Sequence, residues 1–157
     1  MSRQNLRQKA LALLGQREYT RASLKRKLAT SGEDEASIDA LLDELSARHW
    51  QSDQRYAEQW VQTRATRYGG RRLAQDLRQR GVDSETITQA LSTVVGDEPQ
   101  HAQAVWQKKF GAPSATQQER AKQMRYLQAR GFSMKVILGV LRGGGDVEDD
   151  WSEEAGL

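Results

Sequence analysis

The chain has 157 residues, of which 37 % are apolar and 29 % charged; ordinary globular domains run to roughly 45–50 % apolar, so one large core is excluded and several small, thinly packed units are favoured. Lysine and arginine number 24 against 21 acidic residues, a net charge of +3 whose distribution says more than its sum. Cysteine is absent, which excludes disulfides, zinc–thiolate and iron–sulfur centres, and apolar runs such as Ala10 to Leu14 fall far short of the about 20 residues of a membrane span. The opening Met1–Ser2–Arg3–Gln4–Asn5 has no signal-peptide apolar run. The expectation is a soluble, cytoplasmic chain with no membrane partner.

Only two prolines occur, Pro99 and Pro113, and Ala, Leu, Gln, Arg, Glu and Lys dominate, so helices are expected throughout. Leu6, Ala10, Leu13 and Leu14 share one helical face, as do Ile38, Leu41, Leu42 and Leu45. In chain order the pattern predicts helices over 4–14, 20–30 and 35–48, then 53–66, 70–80 and 84–94, then 98–110, 115–130 and 134–142. Gly143, Gly144 and Gly145 stop the last one, and the acidic segment 143–157 is expected to be a flexible tail.

The nine predicted helices are three copies of one pattern. Gly32, Gly81 and Gly131 lie 49 and 50 residues apart. Four residues before each stands Leu28, Leu77 or Leu127; two after it, Asp34, Asp83 or Ser133; six after it, Ile38, Ile87 or Ile137; ten after it, Leu42, Leu91 or Leu141. A helix that ends at a left-handed glycine, a turn, and a side-chain-capped second helix explain this spacing. The predicted fold is all-α: three tandem three-helix repeats of about 50 residues, at 1–50, 51–96 and 97–142, forming an elongated, curved array in which neighbours stabilise one another.

Charge follows the repeat. Residues 1–30 carry 8 basic and 1 acidic, 31–62 carry 2 and 8, 63–81 carry 6 and 1, 82–107 carry 0 and 4, 108–142 carry 8 and 1, and 143–157 carry 0 and 6. With the core leucines as reference, helical phase turns Arg26, Arg71, Arg72, Lys122 and Arg125 of the three middle helices away from the core; Lys27 and Arg78 flank that face, Arg130 sits at the last helical position before its glycine, and these three with Lys25 are expected to support the face. A solvated face accounts for any one of these residues; their recurrence favours a basic surface for phosphates or for an acidic protein groove. Trp60 and Trp106 fall at apolar phase and are expected in the core, Trp50 is expected to seal the junction of the first two repeats, and Trp151 falls in the tail.

Catalytic constellations are missing. His49 and His101 are 52 residues apart, no G-x-x-x-x-G-K-[ST] loop or nucleophile elbow occurs, and no catalytic or metal residue and no cofactor is predicted. The expectation is a binding protein, not an enzyme.

The motifs resemble those of the bacterial RecX family of regulatory proteins. Arg21, Leu24 and the run Lys25–Arg26–Lys27 before Leu28 are similar to the family's opening segment; Asp53, Arg55, Tyr56 and Ala57 to its D-x-R-[FY]-A element; Tyr68, Gly69, Arg72, Leu73, Asp76, Leu77 and Gly81 to its glycine-rich turn and helix; and Lys109–Phe110–Gly111 with Arg125–Tyr126–Leu127, Arg130, Gly131 and Phe132 to its third-repeat elements. The chain departs from the family at Ser52–Asp53, where an acidic pair is usual, and at Gly70, where proline is common. The resemblance implies three three-helix repeats and a regulator of RecA recombinase. Such a regulator binds RecA and its nucleoprotein filament on single-stranded DNA and inhibits ATPase, strand-exchange and co-protease activity, and so modulates recombination and the SOS response. The basic face would meet the filament, and the chain would act as a monomer. Two rival readings stand beside it: a helical repeat protein that binds single- or double-stranded DNA and competes with RecA for it, and a helical scaffold for another protein.

Overall fold

The computed structural model of the chain describes residues 3–143. Nine α-helices follow one another among them, with no strand: α1 (Arg3–Gln16), α2 (Arg21–Ala29), α3 (Glu35–Ala47), α4 (Asp53–Arg64), α5 (Gly70–Gln79), α6 (Ser84–Ser92), α7 (Glu98–Lys109), α8 (Gln117–Ala129) and α9 (Met134–Leu141), with one 3₁₀ turn at Val95–Asp97. The all-α expectation holds, and each predicted boundary falls within two residues of the observed one. The tail beyond Gly143, Trp151 included, lies outside the described residues.

Local chemistry sets the helix ends. Thr20, Asp34, Thr116 and Ser133 each accept a backbone N–H three residues on, closing the N-termini of α2, α3, α8 and α9, and Asp83 does the same for α6 through Thr86 N at 2.8 Å. The glycine turns carry the other half of the signal. At Gly81 (φ 85°) and Gly131 (φ 91°) the chain turns left-handed; Val82 N then donates to Leu77 O at 3.1 Å and Phe132 N to Leu127 O at 3.3 Å. Val82 and Phe132 are buried with those leucines, the apolar contact that accompanies a Schellman end. In the first copy Glu33 stands where Val82 and Phe132 stand in the others.

Packing divides the chain into two compact units. Among the described residues, the first holds 3–60 together with Asp76–Ala90; the second holds Val61–Gln75 and 91–143. The middle repeat is therefore shared: Ala57, Leu77, Ile87 and Ala90 are buried in the first unit, Val61 and Leu73 in the second. The first unit's core gathers Leu6, Ala10, Tyr19, Leu24, Leu28, Ile38, Leu41, Leu42 and Leu45; the second gathers Ala102, Trp106, Leu127, Phe132, Ile137 and Val140. Each fully covered leucine contributes about 1.5–3 kcal/mol. Of the tryptophans, Trp106 is buried and its indole N–H donates to Gln123 Oε1 at 2.9 Å. Trp60 is half-buried and stacks on Tyr56. Trp50 does not seal a junction by burial: it is 41 % exposed, because the α3–α4 turn carries it outward.

Candidate functional site

In the first unit the alternating charge blocks fold onto one another. Acidic α3 lies beside basic α1 and α2, so Arg7 pairs with Glu44, Arg21 with Asp43 at 2.7 Å, and Lys25 with both Glu35 and Asp39 at 2.9 Å. The hydrogen bond to Glu35, then that to Asp39, raises the Lys25 pKa above the ordinary 10.5. Arg55 anchors the α3–α4 turn: it pairs with Glu18 at 2.7 Å and donates to the carbonyls of His49 and Trp50 at 2.9 and 3.2 Å. That turn needs holding, since His49 sits at φ 60°, a left-handed conformation uncommon for a side-chain-bearing residue.

The same unit contains a cleft of about 550 Å³ between the C-terminal half of α2 and the turn after α5. Lys25, Arg26, Arg78 and Arg80 supply cations to its lining, and Glu33 and Glu35 supply carboxylates. Three of these cations are engaged: Lys25 in its ion pairs, Arg80 over the Trp60 ring at 4.0 Å, and Arg26 in a hydrogen bond to Ser23 Oγ at 3.2 Å. Arg26 and Arg78 are exposed. A close joint forms one edge: Thr20, fully buried, donates its hydroxyl to Arg80 O at 3.0 Å, and Ala22 lies where a Cβ on Gly81 would come within 2.5 Å.

The second unit repeats this joint and tightens it. Gly69 N donates to Arg130 O at 2.8 Å and Arg71 N to Gly131 O at 3.1 Å. Orphan N–H groups at the start of α5 thus satisfy orphan carbonyls at the end of α8. A Cβ on Gly69 would run into the backbone of Gly131, and one on Gly131 into the backbone and Cβ of Arg72. Glu98 Oε1 completes the arrangement by accepting the N–H of Ser133 at 3.2 Å.

That joint assembles a basic–aromatic cluster. The guanidiniums of Arg72, Arg130 and Arg67 lie 4.9, 5.2 and 5.9 Å from the centre of the Tyr68 ring. Arg130 also lies 5.3 Å from the centre of Tyr126, as does the Lys109 ammonium, and Phe110 meets Tyr126 edge-on. Arg130 is fixed by two more bonds, to Arg67 O at 3.3 Å and to the Tyr126 hydroxyl at 2.9 Å.

The nine sequence-predicted basic residues are therefore placed unequally. Arg26, Lys27, Arg71, Arg72, Arg78, Lys122 and Arg125 are exposed or partly exposed, whereas Lys25 and Arg130 are tied down. Lys25, Arg26 and Arg78 meet at one cleft in the first unit, and Arg72 and Arg130 at one ring in the second. Among the described residues, Lys27, Arg71, Arg78, Lys122 and Arg125 pair with no carboxylate within 4.0 Å. Helical phase overlooked Tyr68, Arg67, Lys109 and Tyr126, because they lie in or beside turns or on the inner side of α8. The recurring Tyr/Phe positions of the sequence motifs were the available signal.

Comparison with known proteins gives one answer from three directions. Family models for the first, second and third three-helix domains of RecX match residues 7–45, 52–91 and 97–141. The chain is similar to the regulatory protein RecX of Chromobacterium violaceum, 48 % identical over 150 residues and 96 % of each chain, and to that of Neisseria meningitidis, 39 % identical over 96 % of each. Its fold matches the crystal structure of RecX from Lactobacillus salivarius at a TM-score of 0.82 and 20 % identity, over 90 % of this chain and 96 % of that one. No helix among the described residues is long and apolar enough to cross a membrane. With three family domains matched in order and relatives aligned nearly end to end, the chain belongs to the RecX family of regulatory proteins.

Proposed function

We propose that the chain regulates RecA by binding its filament on single-stranded DNA, and that it acts by contact, without catalytic turnover. Family membership supports the regulatory role, and the outward-facing arginines and lysines on the middle helices support the mode of contact. Arg26 and Arg78 in the first unit and Arg71, Arg72, Lys122 and Arg125 in the second would meet acidic protein surface and phosphates of the filament. Engaging adjacent RecA protomers with separate repeats, over 1–50, 51–96 and 97–142, would oppose the relative motion that ATP turnover requires. Strand exchange and co-protease activity would fall with it.

The test is a titration of RecA's DNA-dependent ATPase with the filament preformed and DNA in excess. Inhibition at well below one chain per RecA protomer is expected. The triple charge reversal Arg26→Glu, Arg72→Glu, Arg125→Glu is expected to abolish inhibition while the helical circular-dichroism signal persists. Inhibition unchanged by that variant would sink the basic-face mechanism.

A further inference from the structure

We propose that the acidic face of α3 is a charge screen that decides which cations of the chain take part in contact with a polyanion. Glu35, Asp39, Asp43 and Glu44 withhold Arg7, Arg21, Lys25 and Arg48 from phosphate and leave that contact to cations without a carboxylate partner. The inference rests on the reading of the chain as a regulator that meets phosphates through its middle helices, and it names the residues that set the specificity of that surface.

The screen belongs to one repeat. α3 carries four carboxylates; α6, its counterpart in the second repeat, carries Glu85 alone, and α9, its counterpart in the third, carries none. Glu35, Asp39 and Asp43 recur every fourth residue and so share one face of the helix. All four acids meet a cation. Glu35 and Asp39 hold Lys25 and Asp43 holds Arg21, both cations of α2, while Glu44 holds Arg7 of α1 and, at 3.4 Å, Arg48 just past its own helix. The raised pKa of Lys25, caused first by its hydrogen bond to Glu35 and then by that to Asp39, reports the same hold. Arg26 and Arg78 of the first unit, and Lys122 and Arg125 of α8, lie outside the screen: none pairs with a carboxylate within 4.0 Å among the described residues.

Stability does not account for this row of acids. Exposed ion pairs add little to folding. Like charges four residues apart, as in Asp39 and Asp43, repel along a helix, and Glu44 stands in the last turn of α3, at the negative end of the helix dipole. The row is unfavourable to its own helix and is balanced only by the cations of its neighbours. What it achieves is cancellation of surface charge. A phosphate approaching Arg21 or Lys25 must displace a carboxylate already in place, and it meets the repulsion of that carboxylate as it arrives. A repulsive element of this kind directs a ligand to one surface by refusing it another.

The double variant Asp43→Asn, Glu44→Gln removes two carboxylates and releases three cations, Arg7, Arg21 and Arg48. The control Glu58→Gln, Glu85→Gln changes the net charge of the same unit equally, and neither of its residues meets a cation within 4.0 Å among the described residues. The full chain would be titrated into labelled oligothymidylate over a range of salt concentrations, with fluorescence anisotropy as the readout. The released variant is expected to bind roughly tenfold more tightly than the parent at low salt, and to steepen the log–log salt dependence by about 0.7 for each phosphate that a released cation neutralises. The control is expected to stay within about twofold of the parent. Arg21→Gln is expected to change binding less than about twofold in the parent, where the cation is already held, and to take back part of the gain in the released variant. Circular dichroism would confirm that each variant is folded; should the double variant unfold, Asp43→Asn alone, at a side chain 73 % exposed, is expected to give a smaller gain of the same sign. An equal gain from the control would assign the effect to net charge and overturn the proposal. So would the absence of any gain, failure of both parent and released variant to bind, or a gain that Arg21→Gln leaves whole. The oligonucleotide assay contains no RecA, so its failure leaves the ATPase titration to decide the regulatory reading separately.

Discussion

The two units make the same joint with different tolerance. In the first, the start of α2 meets the Gly81 turn through a hydroxyl, Thr20 to Arg80 O, and a methyl group, Ala22. In the second, the start of α5 meets the Gly131 turn through backbone alone, with Gly69 N and Arg71 N on the carbonyls of Arg130 and Gly131. The Thr20 hydroxyl can rotate, and the Ala22 methyl, though fixed to its own backbone, stands off the main chain of α2; two crossing main chains leave neither allowance. The third glycine of the set, Gly32, has the same left-handed φ, 84°, and open space around it. Identical spacing in sequence thus serves three mechanical purposes, ranked by what lies against the glycine.

Alanine at each position tests that ranking by denaturant unfolding. Gly131→Ala forces a Cβ into the backbone of Arg72 and is expected to lose more than about 3 kcal/mol, the range reserved for severe core damage. Gly81→Ala meets only the Ala22 methyl at 2.5 Å and should lose about 2 kcal/mol. Gly32→Ala suffers only the left-handed φ, about 1 kcal/mol. Equal losses at all three would mean that turn conformation, not the joints, sets the cost.

Electrostatic contrasts give smaller effects. Backbone and side-chain hydrogen bonds from Thr86 hold the Asp83 carboxyl below the ordinary 3.8. A lowered folded pKa means that the α6 cap stabilises fully above the unfolded value and loses its effect as pH falls through the folded one. The melting temperature of Asp83→Ala should therefore lie below that of the parent at neutral pH, and the gap should close as the pH drops beneath 3.8. A gap that stays constant through that range would show that the charged carboxylate is not the cap. The smallest effect is a gain. Gly70 opens α5, where proline fits the first helical position, and a Cβ there would find only ordinary contacts at 3.5 and 3.9 Å. Gly70→Pro should stabilise by roughly 0.4–1 kcal/mol through the unfolded chain, read as a higher denaturant midpoint. A loss instead would show that the start of α5 needs the freedom glycine gives it.

Much of the molecule was legible in one dimension. Leu28, Leu77 and Leu127 mark fully buried positions, Asp34, Asp83 and Ser133 mark caps, and Gly32, Gly81 and Gly131 mark turns, because each depends on residues within one or two helical turns. Helical phase also identified Arg26, Arg71, Arg72, Lys122 and Arg125 as outward-facing, since that property belongs to a single helix. What stands opposite a side chain belongs to two helices, and here to distant ones. Thr20 reaches Arg80 O across 60 positions and Arg130 reaches Arg67 O across 63. Packing in three dimensions is what neutralises Lys25 with carboxylates and rests Arg130 on tyrosine rings. It also divides the middle repeat's core between two units. Periodicity fixes the direction in which a side chain leaves its own helix, whereas the partner it meets depends on how helices far apart in sequence pack, which no local pattern encodes.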